Sequence, residues 1–183
     1  MPCDRGGGGR AGQGDTMRYL VRDRMLAFHE EAWIETEHRE KAYRVDRKLF
    51  RPRSTFALVN TEGDQVATIV KKALTLHHTI LVKEDGTTVA RISKRAFTFF
   101  GDRFKVVLRD GRRLRVVGNF WDREFDIQDR GTTLAHVSRR WFSFRDAYAV
   151  DVMAEQDALL LLVLAVCVDH TLQDLKGEKV TNL

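Results

Sequence analysis

Apolar and polar positions along this chain recur in one pattern, set three times. Counting from Gly63, Gly86 and Gly131, the third and fourth residues on are Val66-Ala67, Val89-Ala90 and Leu134-Ala135. Ile69, Ile92 and Val137 stand at the sixth place, and a basic pair fills the eighth and ninth: Lys71-Lys72, Lys94-Arg95 and Arg139-Arg140. Apolar residues flanking Thr or Ser follow, as Leu74-Thr75-Leu76, Phe97-Thr98-Phe99 and Phe142-Ser143-Phe144. A weaker copy, Val45-Asp46-Arg47-Lys48-Leu49-Phe50, precedes them. Recurrence at such a period marks one supersecondary unit used several times. Alternation in a β-rich composition makes that unit a hairpin strand of a curved or closed sheet.

Similar short runs occupy nearly everything from Arg18 to Met153. They centre on Tyr19–Val21, Trp33-Ile34, Ala42–Val45, Phe56–Val59, Val66–Val70 and Thr79–Val82. The remaining six are Val89–Ile92, Phe104–Leu108, Leu114–Val117, Phe125–Ile127, Leu134–Val137 and Tyr148–Val152. Between them Glu62-Gly63-Asp64, Glu84-Asp85-Gly86, Arg109-Asp110-Gly111 and Arg130-Gly131 supply tight-turn chemistry. Twelve strands at this spacing suit a barrel or sandwich. The period then changes. Eleven apolar residues, Ala158–Val168, follow Glu155 and Asp157, which favour the positive end of a helix dipole. A bilayer needs about twenty such residues, so no transmembrane span is expected. A helix apolar all round must be enclosed all round, and the simplest enclosure is a twelve-stranded antiparallel barrel closing on it.

Composition sharpens the boundaries. The stretch 1–16 holds six of the thirteen glycines and no apolar run, and reads as a disordered leader; the barrel domain is expected over 17–175, its helix over about 155–174, and a polar tail over 176–183. The leader is neither a secretory signal nor a phosphate-binding loop, for no apolar stretch and no Lys-Ser or Lys-Thr follows its glycines. Cys3 lies in the leader and Cys167 in the apolar run, which points to a reducing, cytoplasmic compartment and an inert, buried Cys167.

The order of these motifs resembles the LURP-one-related family, whose members share a fold with the Tubby C-terminal domain and the phospholipid scramblases. The likeness rests on Met17-Arg18-Tyr19-Leu20, the Val45–Phe50 run, the Gly-x-x-Val-Ala-x-Ile-x-Lys-Lys unit and Gly118-Asn119-Phe120-Trp121-Asp122. It continues through Val137–Ser143 and Asp146–Val152 into the Leu-rich helix. At Met25–Glu30 the chain departs, lacking the small polar turn usual there. The resemblance implies a twelve-stranded barrel around a C-terminal helix. On function it implies less: Tubby relatives bind phosphoinositide and scramblases act on phospholipid, and no functional residue transfers by motif.

Charge supplies the candidate chemistry. From Arg91 to Arg145 fourteen Lys or Arg face six acids, whereas from Asp146 onward seven acids face two lysines. A basic body of this kind suits an anionic partner. The candidate ligand-binding residues are Lys71, Lys72, Lys94, Arg95, Arg139 and Arg140, which a curved sheet would bring to one rim. Neighbours in a strand point to opposite faces, so one residue of each pair would face a common side. The competing account is that basic residues end strands to discourage edge pairing. The aromatics Phe97–Phe100 and Trp141–Phe144 occupy positions where Leu74 and Leu76 also serve, so packing explains them better than base stacking, and nucleic acid is not expected. His77-His78 lacks further ligands at metal spacing. Asp122, Glu124 and Asp126 alternate along one strand and could form an acid–base pair, though Arg123 and Arg130 make a plain charged face the simpler account. No catalytic motif is present, and no cofactor or metal is expected. The leading expectation is a non-enzymatic domain that engages an anionic lipid headgroup or membrane surface peripherally, at the inner membrane face. The alternatives are a scramblase-like phospholipid transporter and a protein-interaction scaffold whose partner the sequence does not name.

Overall fold

The computed structural model describes residues 16–22, 32–47, 55–72, 79–94, 104–119, 122–139 and 147–181. Twelve strands form: β1 (Met17–Arg22), β2 (Ala32–Thr36), β3 (Lys41–Arg47), β4 (Thr55–Val59), β5 (Gln65–Lys72) and β6 (Thr79–Glu84), then β7 (Thr87–Lys94), β8 (Phe104–Leu108), β9 (Arg113–Asn119), β10 (Glu124–Asp129), β11 (Thr132–Ser138) and β12 (Ala147–Val152). Each contains one of the twelve centres read from the alternation. Every strand pairs antiparallel with its sequence neighbours, and β12 closes the barrel on β1 over Met17↔Val152 to Arg22↔Ala147. Closure leaves no edge to protect.

Because neighbours alternate in direction, the connections sort to two ends. Residues 37–40, 60–64, 85–86, 109–112 and 130–131 join strands at one end, the turn end, where Gly63, Gly86, Gly111 and Gly131 all take positive φ. Strands β1, β3, β5, β7, β9 and β11 finish at the other, the far end.

The repeated Val-Ala or Leu-Ala step has a structural cause. Leu58 faces Ala67 while Val59 faces Gln65, which leaves Val66 as an extra residue. Val89 is left over in the same way between Ala90 and Thr88, and Leu134 between Ala135 and Thr133. Each is a β-bulge, which bends its strand and increases twist. The three bulged side chains pack against the core beside Ala67, Ala90 and Ala135, which are fully buried. Bulge carbonyls also find donors outside the ladder: Arg109 N–H donates to Val89 at 2.9 Å and Met153 N–H to Leu134 at 2.8 Å.

After β12 the chain makes one 3₁₀ turn, Glu155–Asp157, and enters α1 (Ala158–Thr181). This helix runs past the expected end near 174 and through most of the segment read as a polar tail. Leu161 to Val168 are eight successive residues with at most 1% exposure. Eight residues exceed two turns, so every face of the helix is covered. The cover comes from inward side chains of all twelve strands, among them Val21, Ile34, Val45, Leu58, Ile69, Val82, Ile92, Val106, Val116, Ile127, Val137 and Val150.

Candidate functional site: the basic rim and its plugged mouth

The strands that end in basic pairs are β5, β7 and β11. All are odd-numbered, so they run the same way and finish at the far end. Lys71 and Lys72 close β5, Lys94 closes β7, and Arg139 follows β11. The structure therefore brings the described members of the three pairs to one rim. Arg95 and Arg140 lie outside the described residues, as do His77-His78 and the Met25–Glu30 segment.

Alternation splits the β5 pair. Lys72 is exposed on the outer wall, whereas Lys71 follows the inward Ile69 and is half-buried. Its Nζ lies 2.6 Å from His170 Nδ1 on α1 and over the Phe56 ring. The His170 imidazole stacks on that same ring, centroids 4.6 Å apart. Lys71 thus anchors the helix within the mouth. Arg139 is half-buried at the same end.

Other groups at this mouth were not readable from motifs. Arg123, in the turn before β10, sets its Nε 2.7 Å from Asp169 Oδ1, with the two side chains only 12% and 4% exposed. Its guanidinium also lies 5.5 Å from the Tyr148 ring centroid. Arg123 holds φ +56, so the turn that aims it inward is itself unusual for a residue with a side chain. Asp169 directly follows the apolar run, and an acid there needs a buried partner. That was the available signal, but spacing could not say which arginine would supply the partner. At the turn end the helix is fixed by a matching contact: Arg112 grips Asp157 with two N–H donors at 2.7 and 3.1 Å and also donates to Asp110. Those hydrogen bonds raise the Arg112 pKa above its ordinary value. From Asp157 to Asp169 is about 18 Å of helix, which five to eight strand residues match at about 3.3 Å each. α1 spans the lumen from mouth to mouth.

Within the lumen, burial pushes the Cys167 thiol well up, and Lys71 only partly offsets it. The expected inert Cys167 has this physical basis.

The three acids read as one alternating set separate. Asp122 lies in the turn, where it accepts from Asn119 Nδ2 at 2.6 Å, and only Glu124 and Asp126 belong to β10. Asp126 Oδ1 sits 2.7 Å from His136 Nδ1, and Ser138 Oγ donates to Glu124 at 2.7 Å. One strand further round, Arg18 grips Asp151 through two hydrogen bonds at 2.6 and 2.9 Å. This side of the barrel is a belt of matched charges. Glu124 also lies 3.8 Å from His136 Nε2, so Ser138, Glu124, His136 and Asp126 form one continuous polar chain on this wall. Among the described residues no group of three or more His, Cys, Asp or Glu could hold a metal ion.

The fold and the motif order together meet an independent family model, LURP-one-related, which matches residues 17–169. The chain belongs to the LURP-one-related family. A relative of this LURP-one-related chain is the uncharacterized protein YxjI of Bacillus subtilis (strain 168), 22% identical over 161 residues, covering 88% of this chain and 97% of that protein. An X-ray structure of an Arabidopsis thaliana protein superposes with TM-score 0.62 at 15% identity, covering 86% of this chain and 92% of that one. At that identity the likeness speaks for the fold. No helix among the described residues is long and apolar enough to cross a membrane.

Proposed function

We propose that this LURP-one-related barrel is a non-enzymatic domain that binds an anionic lipid surface peripherally through its far-end rim. The observation that supports the reading is directional: the described members of the three repeated basic pairs, Lys71, Lys72, Lys94 and Arg139, stand at or just after the ends of strands of one polarity and so at one mouth. Lys72 already points outward there. Each cation at a membrane surface contributes about 1 kcal/mol, so several suffice for reversible attachment. The inner face of a cytoplasmic membrane, rich in anionic lipid, is the fitting location. Peripheral binding also agrees with the ends of the buried segment: Arg112–Asp157 and Arg123–Asp169 hold it at both mouths. Insertion of that helix into lipid would expose two charged partners at once.

Vesicle co-sedimentation tests the reading. The protein should pellet with phosphatidylserine-containing vesicles at low salt, remain in the supernatant with neutral ones, and detach as salt rises. Charge reversal at Lys72, Lys94 and Arg140 should abolish pelleting. Indifference of the unaltered protein to anionic vesicles would overturn the proposal.

A further inference from the structure

Around the barrel the charges are distributed unevenly, and the unevenness points to a face. From β10 through β12 to β2 the outer wall is paired: Asp126 with His136, Asp151 with Arg18, Glu35 with Arg22. From β7 to β9 it is not. Strand alternation buries Ala90, Ile92, Phe104, Val106, Leu108, Leu114 and Val116, and turns Arg91, Lys105, Arg113 and Arg115 outward. Arg91, Arg113 and Arg115 are exposed and Lys105 is half-buried; none of the four has an ion pair or side-chain hydrogen bond. The nearest acids on the next strand, Glu124 and Asp126, are already engaged by Ser138 and His136.

The register makes this costly. Lys105 lies directly opposite Arg115, and Arg91 and Arg113 flank Val107 on either side. Like charges placed directly opposite destabilise a sheet. A wall that tolerates such opposition without an ion-paired acid among the described residues breaks a local rule where function is the expected compensation.

We infer that the β7–β9 wall is the surface that lies against an anionic bilayer, so that the barrel docks on its side. This rests on the membrane reading above and adds an orientation. The patch is continuous with the rim, since β7 carries Arg91 upward to Lys94 and β8 begins beside it at Phe104-Lys105. Its shape selects the partner. β7 to β9 are two of the twelve inter-strand steps, one sixth of the circumference, so their outward cations are nearly coplanar. A planar leaflet can touch them all together, whereas a cylindrical nucleic-acid duplex curves away from a nearly flat set of cations. Single strands need stacking aromatics, and the only large apolar residue exposed among the described ones is Met153. With no large apolar residue exposed among the described residues of this wall, its contact is electrostatic and superficial.

The test compares two variants of the full chain with the unaltered protein on phosphatidylserine vesicles: a wall set, Arg91→Gln, Lys105→Gln and Arg115→Gln, and the rim set already named. The wall set should lower partitioning about a hundredfold, at about fivefold per cation. Its melting temperature should hold or rise, because the Lys105–Arg115 repulsion is gone. A folded wall variant that partitions like the unaltered protein overturns the inference while leaving the rim reading intact. Failure of the unaltered protein to bind vesicles overturns both. Tighter binding to duplex DNA than to vesicles, lost in the wall variant, would reassign the face and also overturn the inference.

Discussion

Truncating the buried helix one residue at a time measures whether its enclosure is complete. Leu161, Leu162 and Leu164 are each 0% exposed and point in different directions round α1. Leu→Ala removes three carbons, about 2.4 kcal/mol of transfer free energy at about 0.8 per carbon. A cavity term follows, because the surroundings relax only partly. Here the surroundings are a closed wall hydrogen-bonded all the way round. It cannot move inward on one side without breaking ladders elsewhere. Relaxation is therefore small, and about 4 kcal/mol is expected for each of the three, near the upper part of the range for such substitutions. Leu160 stands at the turn-end lip and is half-buried, so its truncation should cost about 1–2 kcal/mol. Urea unfolding reads these differences directly as midpoint shifts at constant slope. For a chain of this size each kcal/mol also lowers the melting temperature by about 2–4 °C. The decisive feature is the profile. A helix lying against one side of a sheet gives costs that rise and fall with the 3.6-residue period. One inside a barrel gives uniformly high costs from Leu161 to Leu164, and a periodic profile would refute the enclosure.

Three more expectations follow from individual contacts. Arg123→Ala should destabilise by about 3–5 kcal/mol because it removes the guanidinium paired with a buried carboxylate, while the double variant with Asp169→Ala recovers part of that loss; equal losses in a thermal or urea assay would contradict the pairing. Gly118→Ala should cost about 2–4 kcal/mol, since φ is +147 and an added Cβ would approach the Glu124 carbonyl oxygen and Phe125 Cα; an unchanged unfolding midpoint would exclude this close approach. The Cys167 thiol ionises in the unfolded chain near its ordinary value of 9.0 but is held protonated in the fold. The native state then binds more protons than the unfolded one above pH 9, so this contribution to stability should shrink as pH rises from there; a Cys167→Ala variant should show less of that alkaline decline, and Cys167 should resist thiol reagents until denaturant is added.

Much of this architecture was visible in the chain because its determinants are local. The strand centres fell to alternation alone, and the turns to Gly63, Gly86, Gly111 and Gly131, all of which take positive φ. The all-apolar Ala158–Val168 run forced an enclosed helix by exclusion. The repeat itself was legible, but its meaning was not: an apolar pair in an alternating strand signals a bulge only when the partner strand is known. Strand polarity was enough to gather Lys71, Lys72, Lys94 and Arg139 at one rim. The role of Lys71 as an inward anchor depended on where His170 falls in three dimensions, ninety-nine residues away. Arg91, Lys105, Arg113 and Arg115 escaped notice because each is an ordinary polar member of an alternating strand. Their neighbourhood arises only from the register across β7, β8 and β9.

The order of synthesis gives the lumen helix a further significance. Strands β1 to β12 leave the ribosome before α1, so a nascent cylinder has all its staves and nothing to fill it. Its greasy inner lining faces water or itself until the last segment arrives. A transcript truncated just before Ala158 would encode the whole wall and none of its content. Such a product should be captured by chaperones or aggregate, although it contains every strand of the finished barrel. The barrel's core thus depends on one late event, the seating of α1 in the lumen.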